Sequence, residues 1–271
     1  MTQQKRVERS MAGNAPWLVL SPHLDDAVLS CGALLEAQAQ KRTIVVATVF
    51  TEEGSPPHTR AARSFLSQCC ITDAGELFEA RKAEDRAVLA AMGVQYLHLG
   101  EVDALFRKRE PLRHRRPFLK QGLVDKVWSK LPPELTHRYP TYRFDIALGR
   151  VAPGDQALIG KLRDKVAGLM ASTQAELLFC PVGVGRHVDH LITREAAAGH
   201  PDNVVLYSDF PYNVATPPDA ALLERQGYRS WTWEAGAASK LSRIREYATQ
   251  ADALFPNGVI PVKAETYFAA D

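Results

Sequence analysis

Cysteine is scarce: Cys31, Cys69, Cys70 and Cys180 are the four in 271 residues, and no two stand in a CxxC spacing. That excludes a disulfide-stapled secreted scaffold and a cysteine-ligated zinc module, and it suits a reducing compartment. Long apolar runs are missing too, since none approaches the ~20 residues needed to cross a bilayer. The polar opening, residues 1–14, lacks the apolar stretch of a secretory signal. A cytoplasmic protein without membrane association is therefore expected, with residues 1–14 as a disordered tail. Charge of one sign is also wanting. Lys and Arg total 33 against 31 Asp and Glu, a formal net charge of +2, so no global field marks a nucleic-acid binder. No GxGxxG turn follows the first apolar run, which removes the usual dinucleotide site, and no internal repeat is visible.

What is present is apolar material, 46% of residues, enough for the core of one domain over 15–271. Residues 17–20 form a short continuous apolar run, the mark of a buried strand. A helical pattern follows over 27–40, with Val28, Leu29, Leu34 and Leu35 recurring, and then an almost wholly apolar strand over 43–50. Strand, helix and strand within about 35 residues make a βαβ unit, and strands so continuously apolar suit a parallel sheet covered on both faces. The class is α/β, a three-layer sandwich on a mostly parallel sheet. The same logic gives helices over 77–92, 155–171, 191–198 and 237–254 and strands over 94–99, 176–181, 204–208 and 229–233. Between 101 and 153 the periodicity fades. Arg107-Lys108-Arg109 and Arg113-His114-Arg115-Arg116 read there as a solvated charge run in a substrate-side insertion, with a short helix around 122–130.

Two polar clusters follow apolar strands and precede helices. The first is Ser21-Pro22-His23-Leu24-Asp25-Asp26 and the second Gly183-Val184-Gly185-Arg186-His187-Val188-Asp189-His190. Either alone is explained as well by helix capping, with the carboxylates favouring the positive end of a helix. In a parallel sheet, however, both reach the carboxyl rim, where open α/β proteins bind ligands. His23, Asp26 and one histidine of the second cluster then supply the three protein ligands of an open catalytic zinc site. Asp25 is left to act as general base on a metal-activated water. The other histidine is left to stabilise an oxyanion or to protonate a departing amine, with Asp189 near enough to orient it. Asp209 and Tyr212, just past the strand at 204–208, either contact substrate or form a turn around Pro211. Arg81 and Glu84, one turn apart on the helix at 77–92, read as an exposed ion pair.

These residues resemble the LmbE-like, PIG-L-type zinc-dependent N-deacetylases. The resemblance is carried by the two clusters, by Arg81-Lys82-Ala83-Glu84 with Met92-Gly93, by the approach Pro181-Val182-Gly183-Val184-Gly185, by Ser208-Asp209-Phe210-Pro211-Tyr212 and by the terminal helix. It implies a Rossmann-like fold, Zn2+ or another divalent metal on His23, Asp26 and His190, Asp25 as base and His187 as the oxyanion-stabilising or proton-donating group. It also raises Arg81 to a substrate contact. Leu24 and Ala27 stand where the commonest family pattern has Pro and Glu, which removes no ligand but points to a subgroup. The activity implied is removal of an acetyl group from an N-acetylglucosamine-type amino sugar, glycoconjugate or natural-product intermediate. Hydration of an unsaturated carboxylic acid and amide cleavage of a thiol conjugate are the alternatives. A non-catalytic binding protein is disfavoured by the presence of Asp25. The partner expected is a small molecule, and a homo-oligomer is left open.

Overall fold

The computed structural model describes residues 3–109, 130–141 and 148–270. Seven strands, β1 (Trp17–Ser21), β2 (Ile44–Glu52), β3 (Gln95–Val102), β4 (Leu177–Pro181), β5 (Val204–Tyr207), β6 (Tyr228–Trp233) and β7 (Glu265–Ala270), form one sheet. Their order is β3-β2-β1-β4-β5-β7-β6. The first five are parallel, and β7 runs antiparallel to both β5 and β6. Helices α1 (Gln3–Ala12), α2 (Asp26–Ala39), α3 (Arg60–Gln68), α4 (Ala74–Ala91), α5 (Gln156–Thr173), α6 (Val188–Ala197), α7 (Ala237–Arg245) and α8 (Ala248–Leu254) surround it.

Alternation along β1 shows why both sheet faces are covered. Leu18 and Leu20 pack with Ile159, Leu162 and Val166 of α5 and Ile192 of α6. Trp17 and Val19 point the other way, onto Val28, Cys31 and Leu35 of α2 and Val88 and Leu89 of α4. Each fully buried side chain of this kind contributes about 1.5–3 kcal/mol of transfer free energy. The three-layer expectation is met.

Strand β1 lies between β2 and β4. The chain winds outward on one side through β2 and β3 and on the other through β4 and β5. The gap between the carboxyl ends of β1 and β4 is therefore the topological switch point, where such sheets open a crevice.

Four expectations change. Residues 3–12 are no disordered tail: they form α1, whose Gln3, Val7 and Ser10 are buried. The helix expected over 237–254 is two, α7 and α8, because Tyr247 leaves helical geometry as its buried hydroxyl donates to Asp85 at 3.0 Å. Helix α3 and strand β7 occupy stretches where no element was expected. Arg107 is not solvated: it is buried among carboxylates. The helix expected around 122–130 and the cluster at 113–116 fall outside the described residues, apart from Lys130 in a turn. Among the described residues no helix is long and apolar enough to cross a membrane.

Candidate active site

Both polar clusters leave their strands at the switch point, one after β1 and the other after β4. Asp26 opens α2, and its Oδ2 accepts the backbone N–H of His23 at 2.9 Å and lies 3.0 Å from Nδ1 of the same residue. Nε2 of His190, from the first turn of α6, is 3.3 Å from that Oδ2. It is buried and has no aligned hydrogen-bond partner. Ligand atoms of His23, Asp26 and His190 all lie within 4.8 Å of one another.

The titration of these groups describes a site that favours positive charge. Burial opposes ionisation of Asp26, but His190 and His23 outweigh it and hold the carboxyl well below its usual range. Burial lowers the histidines, yet the carboxylates prevail: His190 is raised to about 9 by Asp26 and Asp209, and His23 well above its usual value by Asp189 and Asp26. Two imidazoles and one carboxylate with an unpartnered nitrogen between them fit a divalent cation, whose charge would replace those protons.

Asp25 has the opposite environment. Burial and the neighbouring Asp26 raise its carboxyl to about 7, against the attraction of Arg81 and His23. It lines the cleft, and its side chain makes no cap hydrogen bond to α2. His187 accepts the backbone N–H of Asp189 on Nδ1 at 3.2 Å, which places the proton of the neutral ring on Nε2. Burial, then the neighbouring His23 and His190, keeps it well below its usual value. With that proton on Nε2, the neutral ring offers an N–H donor.

The remaining predicted residues divide. Tyr212 lines the cleft, its ring edge-on to His190 at 5.7 Å and packed where a Cβ on Gly185 would sit, 3.0 Å away. Gly185 also has φ +79, so two constraints select glycine there. Arg81 is buried in the cleft wall, bonded to Gln250, with its Nε unpartnered. It does not pair with Glu84, which instead accepts the N–H and hydroxyl of Thr249 at 2.9 and 2.7 Å. Asp209 is corrected from substrate contact to positioning group. It is 1% exposed, its Oδ1 sits 2.6 Å from Nδ1 of His190 and its Oδ2 accepts the N–H groups of Gly183 and Val184 at 2.8 Å each. Both oxygens are thus spent on protein. For Asp189, the main chain is what meets His187. Its carboxylate turns to Ala104, Arg107 and His23.

Sequence reasoning missed Asp103. It is buried at the cleft floor, 3.6 Å from Nε2 of His23, and follows β3 on the same rim. A polar residue just past a strand end was the signal that found both clusters, and it applied here too. The far wall, Phe65 of α3 with Leu254, Thr249 and Gln250 of α8, also went unseen. The cleft holds about 700 Å³.

A family model described as PIG-L, GlcNAc-PI de-N-acetylase, matches residues 18–199, which include both polar clusters. The chain belongs to the PIG-L family. Among curated relatives, the 2'-N-acetylparomamine deacetylase of Streptomyces fradiae is 27% identical over 213 residues, 77% of this chain and 61% of that protein. The chain thus spans less than two thirds of that relative's length. Of solved structures, the zinc-inhibited form of the teicoplanin deacetylase Orf2 superposes with a TM-score of 0.69 at 26% identity, over 93% of this chain and 97% of the other. The A40926 pseudoaglycone deacetylase Dbv21, at 24% identity and a TM-score of 0.65 over 94% and 96% of the two chains, shows the same fold.

Proposed function

We propose that this chain hydrolyses the acetamide of an N-acetylated amino sugar carried on a natural-product intermediate or glycoconjugate, releasing acetate. The observation that carries the proposal is the convergence of His23 and Asp26, on the lining of a cleft that Asp25 also lines, with the buried Nε2 of His190, which has no aligned hydrogen bond. The named relatives deacetylate such compounds, and family membership supports the same reaction class here.

His23, Asp26 and His190 would hold the divalent cation, with Zn2+ as our choice for a set of two nitrogens and one oxygen. When bound, such an ion polarises the amide carbonyl and lowers the pKa of water at the site. Asp25 takes the proton of the attacking water and delivers it to the departing amine, so the base is regenerated within one turnover. His187, through Nε2–H, donates to the oxygen on which negative charge develops. Asp209 fixes the His190 ring by its Nδ1, and the same carboxylate fixes the loop at Gly183 and Val184. Arg81 and Tyr212, both on the cleft lining, face the sugar. Leu29, Phe65, Leu105 and Leu254 offer an apolar surface to its aglycone, and the volume is in the range of ~300–1,000 Å³ that takes a drug-sized ligand.

The test is a panel of N-acetyl amino sugars and their conjugates given to purified, metal-analysed protein, with acetate release as readout. Unsaturated carboxylic acids are run beside them and followed by double-bond absorbance. Acetate release supports the proposal. Turnover confined to the unsaturated acids makes the chain a hydratase, and a metal-loaded protein inert to both sets makes it a binding protein.

A further inference from the structure

The residues just after β3 reach further into the site than a surface insertion would. Asp189 has no exposure. One of its oxygens receives a guanidinium N–H of Arg107, and the other accepts the N–H of Ala104 at 2.8 Å and lies 3.3 Å from Nε2 of His23. The His23 ring therefore has Nδ1 toward Asp26 and Nε2 toward Asp189, with the carboxylate of Asp103 further off at 3.6 Å. Arg107 in turn has few freedoms left. Its Nε and Nη2 donate to the carbonyl of Val102 at 3.1 and 2.9 Å, its Nη1 donates to Asp155 at 3.1 Å, and its plane lies 4.7 Å from the Phe50 ring centroid. Asp155, also unexposed, is anchored by the Tyr139 hydroxyl at 2.5 Å and by Arg138.

From this chain of contacts we infer that Arg107 is a positioning residue for the metal: it fixes Asp189, Asp189 fixes the His23 imidazole, and the pair sets how tightly His23 binds a cation. The inference rests on the metal-site assignment made above. A ligating imidazole that gives one nitrogen to the ion and the other N–H to a carboxylate is held in one tautomer and made more basic, and loss of such a partner costs about 10–100-fold in metal affinity. Arg107 suits the task because a planar guanidinium can address two carboxylates and a carbonyl at once, whereas an ammonium is a single point charge. The network also explains why a basic residue from a stretch with no periodicity is buried at the centre. It links β2, the end of β3, the start of α5 and the first turn of α6 at the place where the first ligand leaves β1.

The competing view is that Arg107 only braces the 101–155 segment, in which case it would affect folding but not the affinity of the folded protein for metal. The two part in a Zn2+ competition titration against a chromophoric chelator, run on the wild type, Arg107→Met, Asp189→Asn and the double variant. We expect Arg107→Met to weaken Zn2+ by about 10–100-fold and Asp189→Asn to do the same, with the double variant no weaker than Asp189→Asn alone because both act through one bond to His23. A folded Arg107→Met that binds Zn2+ as the wild type does would overturn the inference, as would losses that add in full. Should Arg107→Met fail to fold by circular dichroism, Asp155→Asn loosens the guanidinium from its far side. Weakened Zn2+ binding by that variant supports the inference, and unchanged binding defeats it. A wild type that binds no Zn2+ would sink the metal site itself, a result distinct from any of these.

Discussion

Asp25 and Asp26 are adjacent in the chain, and their surroundings make them chemically different. Asp26 faces two imidazoles and stays ionised, while Asp25 faces the cleft, is raised by burial and by Asp26, and is held to about 7 by the opposing charges of Arg81 and His23. A carboxylate poised there, on the cleft lining, suits proton transfer. Asp25→Asn keeps the volume and removes the base, so we expect metal content equal to wild type and turnover lower by about 10²–10⁴-fold. Turnover and bound metal measured on the same preparation check this, and a variant that turns over normally removes Asp25 from the mechanism. His23, Asp25, Asp26, His187 and His190 were legible because each stands in a motif just beyond an apolar strand. Asp209 was not. An Asp-Phe-Pro-Tyr stretch after a strand looks the same whether its carboxylate meets substrate or an imidazole 19 residues back, and the choice is made by where Gly183, Val184 and His190 arrive.

At the scale of elements, the strongly periodic helices and continuous apolar strands were readable to within a few residues, and the exceptions have physical causes. Helix α1 carries two apolar anchors, the buried Val7 and the partly buried Met11, and is held otherwise by polar bonds that no hydropathy pattern reveals. Gln3 bonds the carbonyl of Val204 and the N–H of Ala270, Ser10 accepts the indole N–H of Trp17 at 2.9 Å, and Arg42 donates to the Ser10 carbonyl at 2.8 Å. Removing residues 1–12 strands the buried Trp17 N–H, which costs about 1–3 kcal/mol, and uncovers the surface under Val7. A fall in Tm of roughly 5–15 °C is expected; an unchanged Tm would restore the tail. Strand β7 was missed because its role is set across the sheet. Its first residue, Glu265, reaches under α2 to accept the N–H groups of Ala33 and Leu34 at 2.8 and 3.0 Å and lies 3.4 Å from Lys240 of α7. Burial raises the Glu265 carboxyl, and Lys240, these N–H groups and Tyr267 offset that only in part. A folded state that holds a proton more tightly than the unfolded chain is favoured at low pH. That contribution is full below the unfolded value of about 4.3 and is lost as pH rises through the folded value. Glu265→Gln does not titrate, so the stability of wild type relative to this variant falls as pH is raised. Urea midpoints of both proteins at about pH 4.5 and 8 measure the difference, and one that holds constant or grows would contradict it.

At the scale of the molecule, strand order turns two distant motifs into one site. β1 and β4 are neighbours in the sheet although nearly the whole βαβ half, the 101–153 segment and α5 lie between them in the chain. Parallel pairing brings both carboxyl ends to one rim, so once the strands and their direction were read, the meeting of His23 with His190 was required by topology. The cleft's far wall did not follow, because α3 and α8 are amphipathic pieces whose approach to the rim depends on packing with no sequence period of its own. A cation shared by His23, Asp26 and His190 would cross-link the two windings of the sheet at the switch point. It would bind the folded chain, with no preformed site in the unfolded one, and at a free concentration of 1,000 Kd would add about 4 kcal/mol of stability. For a chain of this size that is a Tm difference of roughly 8–16 °C. Stripping the protein with a chelator should lower Tm by that order, and returning Zn2+ should restore it. His190→Ala removes the nitrogen aimed into the triad, and its Tm should not respond to chelator or metal. A variant that still responds would place the cation elsewhere, on His23, His187 and Asp189, the second group of the described residues whose ligand atoms lie within 4.8 Å of one another.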